Sequence, residues 1–464
     1  MSPPPGGRPD KIGRMLWTVD SVAAATGGHV TTPDGGAVVL HRIDIDSRHL
    51  TPGALFVPVR AERDGHRFVA AAVQAGAAGY LWASGFFDPH RPEVAGSSAI
   101  EVADTGAALL DLGRAARSRL RGPVVGITGS VGKTSTKDLL AAALATELRV
   151  AASEKSLNNE LGVPLTLANA PEDAAIAVIE MGARGIGQIA VLCEVARPTI
   201  AVVTSVAAVH TELFGSIDAV AETKGELVEA VGPKGLAVLN ADDDRVLGMA
   251  RRTSGEVLRY SALGASGADI IATDVRIADD LRPSFVLTTP WGTGAVTLGV
   301  RGGHQVGNAL AAATVALHQG VTWEAVVGAL GAASLSPWRM ELLTSASGAT
   351  VLNDAYNANP ASMAAALRAL AHLPARRRVA VVGIMAELGA DAVIEHRRIA
   401  TLADELGIEL VAVDTADYGP VPVVGIDEAV EALGPLGHGD AVLVKASRVG
   451  GLERLALRLL QPAP

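Results

Sequence analysis

The sequence predicts an α/β fold with mostly parallel sheets, divided among three domains. Three observations carry this expectation. Short apolar runs of strand length recur between helical stretches along most of the chain. One of them, Val124 to Ile127, breaks into the glycine-rich turn Thr128-Gly129-Ser130-Val131-Gly132-Lys133-Thr134-Ser135. The length of 464 residues exceeds what one hydrophobic core organises, and the usual allowance gives about three domains. Hydrophobic residues make up 49% of the chain and aromatics only 3%, so the cores must be built from Ala, Val, Leu and Ile, which suits α/β layers.

Residues 1–120 read as a small N-terminal α/β domain. It holds the runs Ile43-Asp44-Ile45 and Leu55-Phe56-Val57-Pro58-Val59, an alanine-rich helix from Phe68 to Gly76, and a helix near Ala107 to Arg119. Arg121-Gly122-Pro123 reads as the linker into a central domain, residues 121–335. There the glycine-rich turn is expected to lead into a helix from Lys137 to Leu148. Strands follow at Ala175 to Glu180, Thr199 to Thr204 and Leu236 to Asn240. Ligands of open α/β sheets lie outside the carboxyl ends of the strands, which singles out Glu180, Ser205 and Asn240. Ile270 to Val300 alternate like antiparallel strands that extend the sheet, before a helix from His304 to Leu317. A break at Ser336-Pro337-Trp338-Arg339 opens residues 336–464, a Rossmann-like domain with strands at Thr350 to Asp354, Arg378 to Gly383, Leu410 to Val413 and Ala441 to Lys445. Arg376-Arg377-Arg378 reads as a solvated loop.

A balance of 39 basic against 49 acidic residues leaves a net charge of −10, which argues against nucleic acid or an anionic membrane as the main partner. The single cysteine, Cys193, has no intrachain partner and reads as a buried helical thiol. Met1 to Asp10 lack the apolar core of a signal peptide, and no apolar run reaches the length of a membrane span. A cytoplasmic chain, without membrane insertion and monomeric, is expected.

A strand, a glycine-rich turn and a helix in succession form a phosphate cradle, because backbone N–H groups and the helix N-terminus converge on the turn. Lys133 would reach the β- and γ-phosphates and the Thr134 hydroxyl would hold Mg²⁺. Ile127 stands where the longer form of this pattern has its first glycine, leaving Thr-Gly-x-x-Gly-Lys-Thr. Glu180, an acid at a strand end beside the loop, suits a hard cation. His210 follows another strand, and Lys224 comes on the helix after that; because the histidine shares a region with Glu180 and Thr134, a metal or phosphate role is expected for it.

The blocks Asn158-Asn159-Glu160-Leu161-Gly162-Val163-Pro164, Glu180-Met181-Gly182-Ala183, His210 to Ser216, Lys224-Gly225-Glu226-Leu227, Asn240-Ala241-Asp242 and Tyr356-Asn357-Ala358-Asn359-Pro360 follow the phosphate loop in order. In this the chain resembles the Mur ligases from about Asp46 to Arg448, and within them the branch that joins D-Ala-D-Ala to a UDP-muramyl tripeptide. The resemblance implies an ATP-dependent amide ligase of peptidoglycan precursor synthesis acting through an acyl phosphate. It implies that Asp46-Ser47-Arg48 serves the UDP-sugar end and that Gly129, Ser130, Val131, Gly132, Lys133, Thr134 and Ser135 hold ATP. It places Thr134 and Glu180 on one Mg²⁺, and His210 with a carbamylated Lys224 on a second. Asn308 would face the adenine, Arg339 and Asp354 would close on the nucleotide, and Asn158, Asn159, Tyr356, Asn357 and Asn359 would line the substrate cleft. The chain departs from the family's usual residues at Asn353, Gln305, Ile384 and Ala446. Two other classes compete: a different amide ligase of this superfamily, such as a folylpolyglutamate synthetase, and a P-loop NTPase that regulates a partner.

Overall fold

The computed structural model describes residues 15–32, 36–60, 63–154, 157–207, 214–419 and 421–461. It is mixed α/β with mostly parallel sheets, and it separates into two compact units.

The first unit comprises the described residues of Met1–Val124, Leu148–Ile179 and Val191–Arg197. Its five-stranded sheet runs in the order His29–Val30, Ser98–Val102, Gly79–Ala83, Ala54–Phe56, Arg42–Asp44. All neighbours are parallel except His29–Val30, which is antiparallel to Ser98–Val102. The parallel strands are almost wholly buried, as strands covered on both faces must be. The expected helix at Phe68 resolves into a short 3-10 turn, Gly65–Phe68, and a helix, Val69–Gln74. A longer helix, Thr105–Arg119, is capped by Asp104, whose carboxylate accepts the Ala107 N–H at 2.8 Å. Cys193 is buried, as the sequence led us to expect.

The second unit comprises the described residues of Val125–Glu147, Glu180–Ala190 and Pro198–Pro464, and holds two sheets. In one, the strand Val124–Thr128 is followed outward by Ile200–Val203, Leu236–Asn240, Glu256–Ser261 and Ile270–Ile277, all parallel. Pro283–Thr289 and Gly292–Thr297 then extend it antiparallel, the extension the alternating pattern predicted. The helix Gln305–His318 is buried along most of its length and presents Ala309, Ala311, Ala312, Ala313 and Ala316. It packs against the helix Lys133–Leu144.

The other sheet runs Glu341–Thr344, Thr350–Asn353, Asp440–Lys445, Arg377–Val382, Glu409–Ala412, parallel except for its first pair. Alternate residues serve opposite faces, the two-residue period of a strand. Leu352, Leu443, Ala380 and Val382 join one apolar cluster with Met363, Leu367, Leu370 and Ile399. Val351, Val442, Val444, Val379 and Val381 join the other with Ala429, Leu433 and Leu455.

Two expectations need correction. The helix after the glycine-rich turn spans Lys133–Leu144 rather than Lys137 to Leu148. The polar run Lys-Thr-Ser-Thr has modest helix propensity, but the buried Thr136 closes the first turn with its N–H on Gly132 O at 2.8 Å. Nor do the three arginines form a loop. Arg377 opens a strand and forks onto Glu409 of the next one, with Nη2 2.7 Å from Oε2. Arg378 donates to Leu373 O at 2.7 Å and Arg376 to His438 O at 2.5 Å.

Candidate nucleotide site

The strand Val124–Thr128 delivers the chain to Gly129, at φ 148°, and Gly132, at φ 88°, directly before the helix. A Cβ on Gly129 would stand 1.9 Å from Thr204 Oγ1, and one on Gly132 would stand 2.3 Å from Asn308 Oδ1. Only glycine fits either place. The loop is strapped to the end of the neighbouring parallel strand. Ser130 N–H donates to Ser205 O at 2.8 Å, Val131 N–H to Ser205 Oγ at 3.1 Å, and Thr204 Oγ1 to Val131 O at 2.5 Å. Asn240 fixes that strap in turn, its Nδ2 donating to Thr204 O at 2.8 Å. Ser205 and Asn240, singled out as strand-end groups, thus shape the loop.

Lys133 folds back over the turn and donates to Gly129 O at 2.6 Å. Burial lowers its pKa, with Glu180 opposing that shift and Arg339 adding to it, which places all three in one electrostatic field. Thr134 and Ser135 are buried in the first helical turn. Glu180 is buried at the end of the strand Ile176–Glu180, and the next residue, Met181, donates its N–H to Ile127 O at 2.8 Å, which sets the carboxylate beside the loop.

Lys224 lies on the helix Ile217–Ala230 and is only 4% exposed. It does not pair at a surface with its neighbouring acids: Glu222 is bound by Arg252, and Glu226 accepts the N–H groups of Gly187 and Ala190. Burial, and then repulsion from Lys133, brings its pKa down to about 7. His210 lies outside the described residues.

From the far side of the second unit, Arg339 Nη2 donates to Thr134 Oγ1 at 2.9 Å, while its Nε is buried and has no hydrogen-bond partner in the protein. Its guanidinium carbon sits 4.0 Å from the centre of the Tyr356 ring. Asp354 is engaged by Lys445, a residue the sequence reading placed only as a strand end. Lys445 Nζ stands 2.5 Å from Asp354 Oδ2 and donates to Asn357 O at 2.8 Å. Asn308 uses both ends of its carboxamide, accepting from Thr136 Oγ1 at 3.2 Å and donating to Gln305 Oε1 at 2.8 Å. Gln305, to which the sequence reading gave no role, therefore orients Asn308 against Gly132.

Asn359 was expected in a substrate cleft. Its Oδ1 accepts the Ser362 N–H at 2.9 Å and its own N–H donates to Ser362 Oγ, a capping box before Pro360 at the helix start. In the first unit, Asn159 Oδ1 accepts the Leu161 and Gly162 N–H groups at 3.3 and 3.0 Å, organising the approach to the helix Gly162–Ala168, and Asn158 precedes it. In the same unit Arg48 forks onto Asp46 at 2.9 and 2.7 Å, with Ser47 between them, and this bond draws the Asp46 pKa down to about 2.

The donor set fits a nucleotide with Mg²⁺. Among the described residues no cluster of three or more His, Cys, Asp or Glu side chains is arranged to hold a metal alone. A hydroxyl and a single carboxylate beside a phosphate cradle match Mg²⁺, which commonly takes one or two protein oxygens together with substrate phosphates. The buried, unpartnered Arg339 Nε answers to an anionic oxygen at the same place. Such an assembly on an open parallel sheet defines a P-loop enzyme that uses a nucleoside triphosphate.

Residues 127–316 match the Mur ligase middle domain and residues 338–448 the Mur ligase, glutamate ligase domain. The chain belongs to the Mur ligase family, in the branch of the UDP-N-acetylmuramoyl-tripeptide–D-alanyl-D-alanine ligases. A ligase of that name from Mycobacterium tuberculosis is 41% identical over 95% of this chain and 96% of its own length. One from Escherichia coli is 38% identical over 81% of this chain and 82% of its own. The crystal structure of MurF from Acinetobacter baumannii superposes with a TM-score of 0.83 at 29% identity, covering 97% of this chain and all of that one. MurF from Thermotoga maritima in complex with ADP gives 0.77 at 26% identity, covering 90% and 97%.

Proposed function

We propose that this chain joins D-Ala-D-Ala to UDP-N-acetylmuramoyl tripeptide at the expense of ATP, in peptidoglycan precursor synthesis. The observation that carries the reading is the phosphate loop faced by Arg339, set in a chain alike to ligases of this name over nearly its whole length. A carboxylate does not react with an amine at neutral pH, because oxide is too poor a leaving group. Transfer of the γ-phosphoryl group to the tripeptide carboxylate gives an acyl phosphate, from which phosphate departs when the dipeptide amine attacks. Lys133, released from Gly129 O, and Arg339 supply positive charge to the transferring group.

Thr134, its hydroxyl released from Arg339 Nη2, and Glu180 would hold one Mg²⁺, and His210 with Lys224 as its carbamate a second. Bound there, the ions neutralise phosphate charge. Two features support the carbamate: Lys224 is buried, so an ammonium is disfavoured, and a pKa of about 7 leaves much of the amine neutral and nucleophilic toward CO₂. We assign residues 1–120 to the UDP-sugar end, with Ser47 and Arg48 at its contact. Residues 121–335 take ATP, and residues 336–464 close over the nucleotide through Arg339 and Asp354. Asn308 would serve the adenine side, and Asn158, Asn159, Tyr356 and Asn357 the substrate cleft.

Substrates of this kind place the reaction in the cytoplasm, without nucleic acid or membrane insertion and with a monomer sufficient. Among the described residues no helix is long and apolar enough to cross a membrane. The test is phosphate release over a panel of UDP-muramyl peptides and acceptors, with product mass. Release requiring both the tripeptide and D-Ala-D-Ala is expected; efficient use of a single amino acid with the dipeptide inert would move the chain to another branch.

A further inference from the structure

We propose that Tyr356 is a positioning residue for Arg339, its ring serving as the platform that holds the guanidinium toward the phosphate loop. The proposal deepens the nucleotide reading and rests on it. Arg339 ends a flexible side chain, and a guanidinium that must meet an anionic oxygen needs its plane fixed as well as its position. The Tyr356 ring, 4.0 Å away, fixes that plane by cation–π stacking; before nucleotide binds, Nη2 rests on Thr134 Oγ1 and Nε has no partner in the protein, so both can turn to phosphate oxygens.

The backbone around Arg339 carries a second, independent mark. Trp338 and Met340, on either side of it, both adopt left-handed conformations, at φ 63° and 52°. Non-glycine residues rarely do so, and two such residues bracketing a third persist only where their surroundings impose them. The restraints are visible. Tyr356 N–H donates to Trp338 O at 3.1 Å, Met340 N–H to Asp354 Oδ1 at 3.1 Å, and the Arg448 guanidinium lies 4.4 Å over the Trp338 ring. The segment from Asp354 to Tyr356 therefore grips both flanks of Arg339 while the ring supports its head. A connector that merely joined two sheets would have no use for either strain or platform.

Tyr356→Leu removes the π face but keeps an apolar side chain, and Tyr356→Phe keeps the face. The expected result is a fall in kcat of about tenfold for Tyr356→Leu, the scale of a partly buried cation–π contact, over and above any rise in KM that the loss of a cleft residue brings. Tyr356→Phe should recover most of the loss, and Tyr356→Leu should add nothing in an Arg339→Ala background. In the nucleotide-free protein, the Arg339 Nε–H resonance should carry a ring-current shift that Tyr356→Phe retains and Tyr356→Leu abolishes. A loss confined to the KM of D-Ala-D-Ala, an undiminished effect in Arg339→Ala, or an unmoved resonance overturns the proposal. If Arg339→Ala itself leaves turnover and ADP affinity intact, the nucleotide reading of Arg339 falls instead, and the ring-current shift alone decides whether the stack exists.

Discussion

Lys445 and Asp354 form a buried ion pair in which the lysine, at the end of one strand, fixes the carboxylate at the end of its parallel neighbour. The same carboxylate receives the Met340 N–H through its other oxygen, so one pair of charges ties the end of this sheet to the segment that carries Arg339. Removing one partner of a buried pair strands the other charge. Lys445→Met is expected to cost about 3–5 kcal/mol, and adding Asp354→Asn should return a substantial part of it. Thermal unfolding of the single and double variants measures this; equal melting temperatures for the wild type and Lys445→Met would show the pair to be dispensable.

Lys133→Ala should lower phosphate release by about a hundredfold or more while the melting temperature barely moves. The loop's shape is held by the strap from Thr204 and Ser205 rather than by the lysine. Near-normal turnover by the folded variant would remove the loop from the chemistry.

For Lys224 the sign follows from its lowered pKa. Between about 7 and the ordinary lysine value of 10.5, the unfolded chain binds more protons than the folded one, so stability rises with pH across that window. Below it, the cost of burying the ammonium is fully present. In metal-free, CO₂-free buffer, Lys224→Met should therefore melt above the wild type at pH 6, with the advantage shrinking by pH 9. A constant difference across that range would mean the amine is not buried as described. If Lys224 is carbamylated, Lys224→Ala should be nearly inactive and partly restored by a short carboxylic acid, whereas Lys224→Arg should not respond.

Asn359→Ala should destabilise by about 1 kcal/mol, the usual worth of a helix cap, and Asn359→Ser should recover most of it. KM for both substrates should stay unchanged. A raised KM without loss of stability would return Asn359 to the substrate cleft.

Much of the architecture was legible because it rests on local pattern. Apolar runs of strand length between helices gave the parallel sheets, and alternation from Ile270 onward gave the antiparallel extension. The phosphate loop announced itself because its two glycines answer to local geometry. The start of its helix did not, since Lys133 to Thr136 become helical through burial and a loop contact rather than propensity. The Lys445–Asp354 pair spans 91 positions, and nothing in either neighbourhood announces the other. Asn359 shows the opposite case, a structural role legible in the local sequence. Asn-Pro followed by Ser two residues on is a plain cap signal, and it stands beside the substrate role that the resemblance implies.

The alanine-lined helix Gln305–His318 sets the spacing of the phosphate loop. Its buried side chains are mostly single methyl groups, so it can lie close to the helix Lys133–Leu144, against which it packs, and Asn308 Oδ1 accepts from Thr136 Oγ1 across that contact. The seam thus works as a ruler whose unit is a single methyl. Enlarging an alanine where the two helices meet would push the opposing helix back, and any retreat of that helix carries Lys133 and Thr134 with it. Sequence drift toward bulkier residues, harmless in a core of long side chains, would here be read out directly as a shift in where the triphosphate sits.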